Sequence, residues 1–156
     1  EREKIELILE AALRSPSSRS LNPWEFVVVT DRDLIEKLSR AKEHGSSFLK
    51  GAPLAFVVCA DPARCDVWIE DCSIASILIQ LQAQDLGLGS CWVQIRKRMH
   101  SAELTAEDYV KKVLDLPEHW VVESIIGIGY PAEEKKPHPA ESLQHGKVHY
   151  RGPGLS

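Results

Sequence analysis

Positive charge is not in excess in this chain. Its 19 lysines and arginines face 23 aspartates and glutamates, a net charge of −4. Nucleic-acid binders carry a basic stripe or patch, so no nucleic-acid partner is expected. Also missing is any apolar run near the roughly 20 residues of a membrane span, so no membrane partner is expected either. The four cysteines, Cys59, Cys65, Cys72 and Cys91, form no CxxC pair. That excludes the usual zinc and dithiol motifs and predicts free thiols in a reducing cytoplasm. Cys59, Cys72 and Cys91 stand in apolar segments and are expected to be buried; Cys65, in the loop DPARCD, is expected to be exposed. The opening EREKIELILE shows no signal peptide and no initiator Met. Native sequence upstream of Glu1 is therefore expected.

What is present describes an ordinary globular chain. With 156 residues, 44% hydrophobic and 27% charged, it is read as a single domain over 1–156 with enough apolar residues for a real core. Ile5, Ile8, Leu9, Ala12 and Leu13 recur at helical spacing and predict a helix over 3–14, stopped by Pro16. WEFVVVT and LAFVVCA read as buried strands. Between them DRDLIEKLSRAKE reads as a helix capped by Thr30. The segment from Val67 to Leu86 is apolar nearly all round, which calls for burial nearly all round. A domain this small rarely encloses such a helix alone, so one face is expected on its own sheet and another on a second subunit. SCWVQI is a strand, TAEDYVKKVLDL a helix capped by Thr105, and WVVESIIGIGY a long strand. Residues 131–156 have no period and read as an extended tail over the surface. Helices alternate with strands apolar enough to be covered on both faces, which implies a mixed sheet between helical layers.

Candidate chemistry is sparse. GLGSCW, from Gly87, contains GxG but follows a helix and opens a strand, the reverse of a dinucleotide fingerprint. GIGYP follows a strand but leads into no helix. His138, His145 and His149 lie in the Pro-containing tail and form no metal set. No serine stands in a GxSxG elbow. The acid pairs Glu70–Asp71 and Glu107–Asp108 read as solvated helix faces or first-turn charges. Trp92 and the segment Arg96 to His100 are candidates for a pocket mouth, with a core aromatic and a solvated basic loop as the plain alternative. Either the chain is not an enzyme or a cofactor carries the chemistry.

The stretch AALRSPSSRSLNPWEFVVV resembles the helix–loop–strand of the nitroreductase-like flavoproteins. APLAFVVCAD, DCSIASILIQLQAQDLGLGSCW and VLDLPEHWVVESIIGIGYPAEEKKP continue the likeness in order, from about Glu3 to Pro139. The resemblance implies an α+β fold with a mixed, mainly antiparallel central sheet flanked by helices. It also implies an exchanged-arm homodimer holding FMN at the subunit interface. Hydride would pass from NAD(P)H through the flavin to a small acceptor of nitroaromatic, quinone or enone type, so no protein-borne catalytic residue is required. Carried over by position, the flavin contacts are Pro16, Ser17, Ser18, Ser20 and Asn22. Here serine and asparagine replace the family's Asn and Gln. The resemblance further points to Gln94 and Ile95 beside flavin N5, and to Lys136 and His138 near the phosphate. The family's arginine-rich phosphate motif would lie upstream of Glu1. A specialised dehalogenase, and a non-enzymatic or degenerate flavin-binding dimer with a structural or regulatory role, remain as alternatives.

Overall fold

The fold was analysed in a computed structural model that describes residues 1–154. Eight principal elements follow one another: α1 (Arg2–Leu13), β1 (Trp24–Val29), α2 (Arg32–Leu38), β2 (Leu54–Ala60), α3 (Trp68–Asp85), β3 (Gly89–Gln94), α4 (Ala106–Leu114) and β4 (Val121–Gly129). The strands form one sheet in the order β1-β2-β4-β3. All three pairings are antiparallel, so among the described residues the parallel component of the expected mixed sheet is absent. The reason lies in the connections. The β2–α3–β3 crossover joins strands that run parallel, but β4 lies between them and runs opposite to both, and the other two connections lead to the neighbouring antiparallel position. No helix is long and apolar enough to cross a membrane among the described residues.

Two apolar layers sandwich the sheet. On one face α1 and α3 pack through Ile8, Ala12, Ala75 and Ile79 onto Phe56, Val58, Ile126 and Ile128. On the other, α2 and α4 pack through Ile35, Leu38 and Val110 onto Val57, Val122 and Ile125. Central strands β2 and β4 are therefore buried on both faces, which is why their sequences run apolar without alternation. The face of α3 toward the sheet is built from Cys72, Ala75, Ser76, Ile79 and Ala83, mostly small residues that let the helix sit close. Its outer face leaves Ile74, Ile77 and Leu81 exposed at 40%, 47% and 58%.

Local chemistry accounts for the element ends. Asp31, not Thr30, caps α2: its side chain accepts from the Leu34 N–H. Aspartate reaches N3 from a position one residue closer to the helix, and the helix ends at Leu38, short of the expected span. Thr105 caps α4 as expected, accepting from the Asp108 N–H at 3.0 Å. Gly87 follows α3 at φ +73, a left-handed turn that costs glycine nothing. In β4, a Cβ on Gly127 would stand 2.6 Å from Leu49 Cδ2, so glycine there admits the Ser47–Gly51 turn against the strand.

The cysteine expectations need correction. Cys65 is buried and Cys91 is exposed. Cys65 folds back onto α3, its thiol donating to Asp71 Oδ2 at 3.4 Å. Cys91 sits on β3, at the edge of the sheet. The tail after Pro131 is exposed throughout. Among the described residues no hydrogen bond or ion pair ties 132–154 to the rest of the chain.

Candidate functional site

The sheet brings the two main sequence segments of interest to one end. Trp24 at the start of β1 pairs with Ala60 at the end of β2, and Ala60 pairs with Val121 at the start of β4. Gln94, closing β3, pairs with Ser124. The turn Pro16–Pro23 and the segment Gln94–Arg96 therefore share that edge, joined by the first turns of α3.

The turn is held in an unusual shape. Arg19, Ser20 and Asn22 have φ of 53, 53 and 45, left-handed backbone on three non-glycine residues out of four. Such conformations persist only where the surroundings enforce them, and they cluster at ligand sites. Here the enforcers are visible. Ser17 Oγ accepts the Asn22 N–H at 3.0 Å, and its hydroxyl donates to Asn22 Oδ1. Arg19 pairs with Asp66 at 2.6 Å. The Ser18 N–H donates to Asp71 Oδ1 at 2.9 Å. Asp71 is a first-turn charge of α3, one of the two readings the sequence offered, but it is 2% exposed rather than solvated, and it pins the turn to α3. Ser20, Asn22 and Pro16 are exposed, and Ser17 and Ser18 half-buried, so the polar rim of the turn is open to a ligand.

At the other side of this edge β4 carries a bulge. Val58 pairs with Ser124 but Cys59 pairs with Val122, which leaves Glu123 as the extra residue. Its carbonyl accepts both the Ile95 and Arg96 N–H groups at 3.0 Å. The Ile95 N–H is thus already engaged, and the Ile95 side chain is fully buried. Gln94 accepts from Trp92 Nε1 at 2.9 Å and donates to the Arg96 carbonyl at 3.0 Å. Trp92 is half-buried against the α1–α3 layer, as a core aromatic.

The Glu123 side chain turns toward α3 and is 2% exposed. Burial pushes its carboxyl up to about 7, against the opposing pull of Ser73 and Arg96. Ser73 Oγ donates to both the Ile69 carbonyl, at 2.7 Å, and Glu123 Oε1, so its one proton is divided between two acceptors and offsets the burial only in part. Glu123 Oε2 has no partner among the described residues. The signal for Glu123 was present in the sequence: it is the single charged residue in the nine-residue apolar strand VVESIIGIG. Asp71 likewise precedes Cys72 and stands four residues before Ala75, on the inward side of α3.

Lys136 and His138 are not brought to this edge by one chain. They follow β4 past Gly129, which pairs with Gly89 at the opposite end of the sheet. The flavin test therefore divides. The rigid open rim of Ser17, Ser18, Ser20 and Asn22 fits the polar edge of an isoalloxazine ring, with short donors and acceptors on a fixed backbone. Among the described residues the phosphate finds no unpaired cation beside this turn, since Arg19 is held by Asp66 and Arg14 by Glu10.

Comparison with known proteins bears on the same elements. The Nitroreductase family pattern matches residues 1–43 and 39–130, the whole span from α1 through β4. A solved FMN-dependent nitroreductase of Clostridium difficile superposes with a TM-score of 0.94. It is 49% identical, over 97% of this chain and 88% of that one. An Archaeoglobus fulgidus protein provisionally named NADH dehydrogenase/NAD(P)H nitroreductase is 40% identical over 137 residues, 85% of this chain and 75% of the relative. The NADH dehydrogenase of Thermus thermophilus is 28% identical over 83% of this chain and 77% of its own. These matches span the turn, the long helix and the bulged strand, and the chain belongs to the Nitroreductase family.

Proposed function

We propose that the chain is an FMN-dependent oxidoreductase that takes reducing equivalents from NAD(P)H and passes them to a small organic acceptor, a nitroaromatic, quinone or enone. The observation that carries this reading is the strained polar turn Arg19–Asn22, locked to α3 through Asp71 and facing the same edge as Gln94–Arg96. When bound, FMN supplies the two-electron chemistry that no side chain of the site offers. The chain's part is to hold and orient. Pro16 to Asn22 present the rim. Gln94 and Ile95 end β3 beside it, stiffened by the double acceptor at Glu123.

The working unit in this proposal is a homodimer of single-domain chains in the cytoplasm. The exposed apolar stripe Ile74, Ile77 and Leu81 on α3 gives the contact its core. The free tail is then placed to carry Lys136 and His138 to the second copy. Charge-introducing substitution Ile77→Glu is expected to give monomers in sedimentation, with the wild type dimeric; a wild-type monomer would refute the assembly.

The experiment for the activity is direct. Protein made from the complete gene should be yellow and bleach on adding NADH or NADPH, then recover with a nitroaromatic or quinone. Colourless protein that takes up no FMN would refute the reading. Protein that binds FMN but never turns over would favour a non-enzymatic dimer instead.

A further inference from the structure

A second polar feature lies on the other face of the sheet, beside the turn that follows β3. The Arg98 N–H donates to the Ile95 carbonyl at 3.1 Å, so Arg98 stands one tight turn from the Gln94–Arg96 edge. There it meets the segment that leaves α2. Two adjoining clefts, of about 350 and 270 Å³, share Lys42, Glu43 and His44; Arg40 lines the first and Arg98 the second. Three permanent positive charges thus face one carboxylate, in a chain whose net charge is −4.

Those cations are poorly neutralised. Among the described residues Lys42 and Arg98 make no ion pair, and Arg40 has only Glu36 at 3.8 Å. The Arg98 guanidinium bonds the Lys97 carbonyl alone. Burial, and then the nearby Arg98, hold the Lys42 amine below its usual range. The frame around it is firm. The Glu43 N–H donates to the Met99 carbonyl at 3.4 Å, and His100 Nδ1 meets the Arg40 carbonyl at 2.7 Å. The His100 ring stacks on Tyr109 with centroids 3.9 Å apart. Gly45, at φ +85, lies against the Lys42 amine, where a Cβ would come within 3.4 Å of Nζ.

A firm, cationic cleft of this size suits a phosphate monoester, which carries nearly two negative charges at neutral pH. We propose that Lys42 and Arg98 bind the 2′-phosphate of NADPH, making NADPH rather than NADH the preferred reductant. This rests on reading the chain as an NAD(P)H oxidoreductase. Among its relatives one is named for NADH and another for NADPH. NADH differs by presenting a neutral hydroxyl at the same position, which leaves both cations uncompensated.

Two measurements test it, on FMN-loaded protein from the complete gene. Steady-state flavin reduction should show the KM for NADPH rising roughly tenfold or more in Lys42→Ala/Arg98→Ala, with the KM for NADH moving less than about twofold. Lys50→Ala, an exposed amine outside the clefts, should change neither. Calorimetry should show 2′,5′-ADP binding the wild type, with 5′-AMP binding at least tenfold more weakly and the double variant losing the difference. Equal losses for NADH and NADPH overturn the proposal. So do absent 2′,5′-ADP binding and inorganic phosphate that competes as well as 2′,5′-ADP, the sign of a general anion patch. The calorimetric arm reads the cleft even if the protein proves to bind no flavin, so failure of the activity and failure of the cleft are told apart.

Discussion

Replacing Glu123 with glutamine tests the assignment of a neutral carboxylic acid inside the sheet. The carboxyl moves from its ordinary 4.5 to about 7 on folding, driven first by burial. At about 1.36 kcal/mol per decade, ionising it in the folded protein costs about 3 kcal/mol, an upper figure because local relaxation softens it. The sign follows from which state holds the proton. Below pH 4.5 both folded and unfolded chains keep it, and the carboxyl costs nothing. Between 4.5 and 7 the unfolded chain releases it first, so stability falls as pH rises. Above 7 both states are ionised and the penalty is constant. Glutamine has the same shape and no charge to develop. The wild type should therefore lose about 3 kcal/mol relative to Glu123→Gln between pH 4 and pH 8, or roughly 6–12 °C in Tm for a chain this long. Urea unfolding at both pH values, at one protein concentration, reads it. The comparison is across pH because the amide's extra N–H adds a pH-independent cost of its own. Parallel stability curves for the two proteins would show that burial does not hold the Glu123 carboxyl above its ordinary range.

Three further outcomes are expected. Asp71→Ala removes the acceptor for Ser18 and should cost about 1.5–3 kcal/mol; titration with FMN should show affinity falling about tenfold, and unchanged affinity would mean the turn is not held this way. Gly127→Ala drives a methyl into Leu49 and should cost about 1–3 kcal/mol in thermal melts. In native protein iodoacetamide should alkylate Cys91 first. Cys59, buried and pushed up to about 12, should react only after unfolding; mass spectrometry that finds both at equal rates would contradict the burial described.

Much of this architecture was legible because burial dictated the residue pattern. β2 and β4 are covered on both faces and read as unbroken apolar runs. The long helix was found from its all-round apolarity, which the structure resolves into a small-residue inner face and the exposed Ile74–Leu81 stripe. The turn at Ser17–Asn22 was noticed for its polar residues, but its three left-handed backbone positions lie on residue types that seldom signal them, apart from asparagine. Asp71 and Glu123 were harder. Each is a charge on a buried face, and local patterning assigns charges to solvent unless the partner across the fold is known. For Asp71 that partner, the Ser18 N–H, is 53 positions away in sequence. The exposure of Cys91 was missed for the opposite reason. An apolar strand segment says nothing about whether it lies at a sheet's edge.

The strand order has a consequence for how the chain must be completed. β4 is made last of the four strands, yet it sits inside the sheet and, among the described residues, is the sole partner of β3. Until Gly129 has been synthesised, β1 and β2 can pair with each other, a two-stranded ribbon of marginal stability, while β3 has nothing to join. A message cut short before that point would not yield a smaller version of this protein. It would release a strand pair and a separate apolar edge, both inviting aggregation. The final strand works as a keystone, and truncation from the C-terminal side should be far less tolerated before Gly129 than after Pro131.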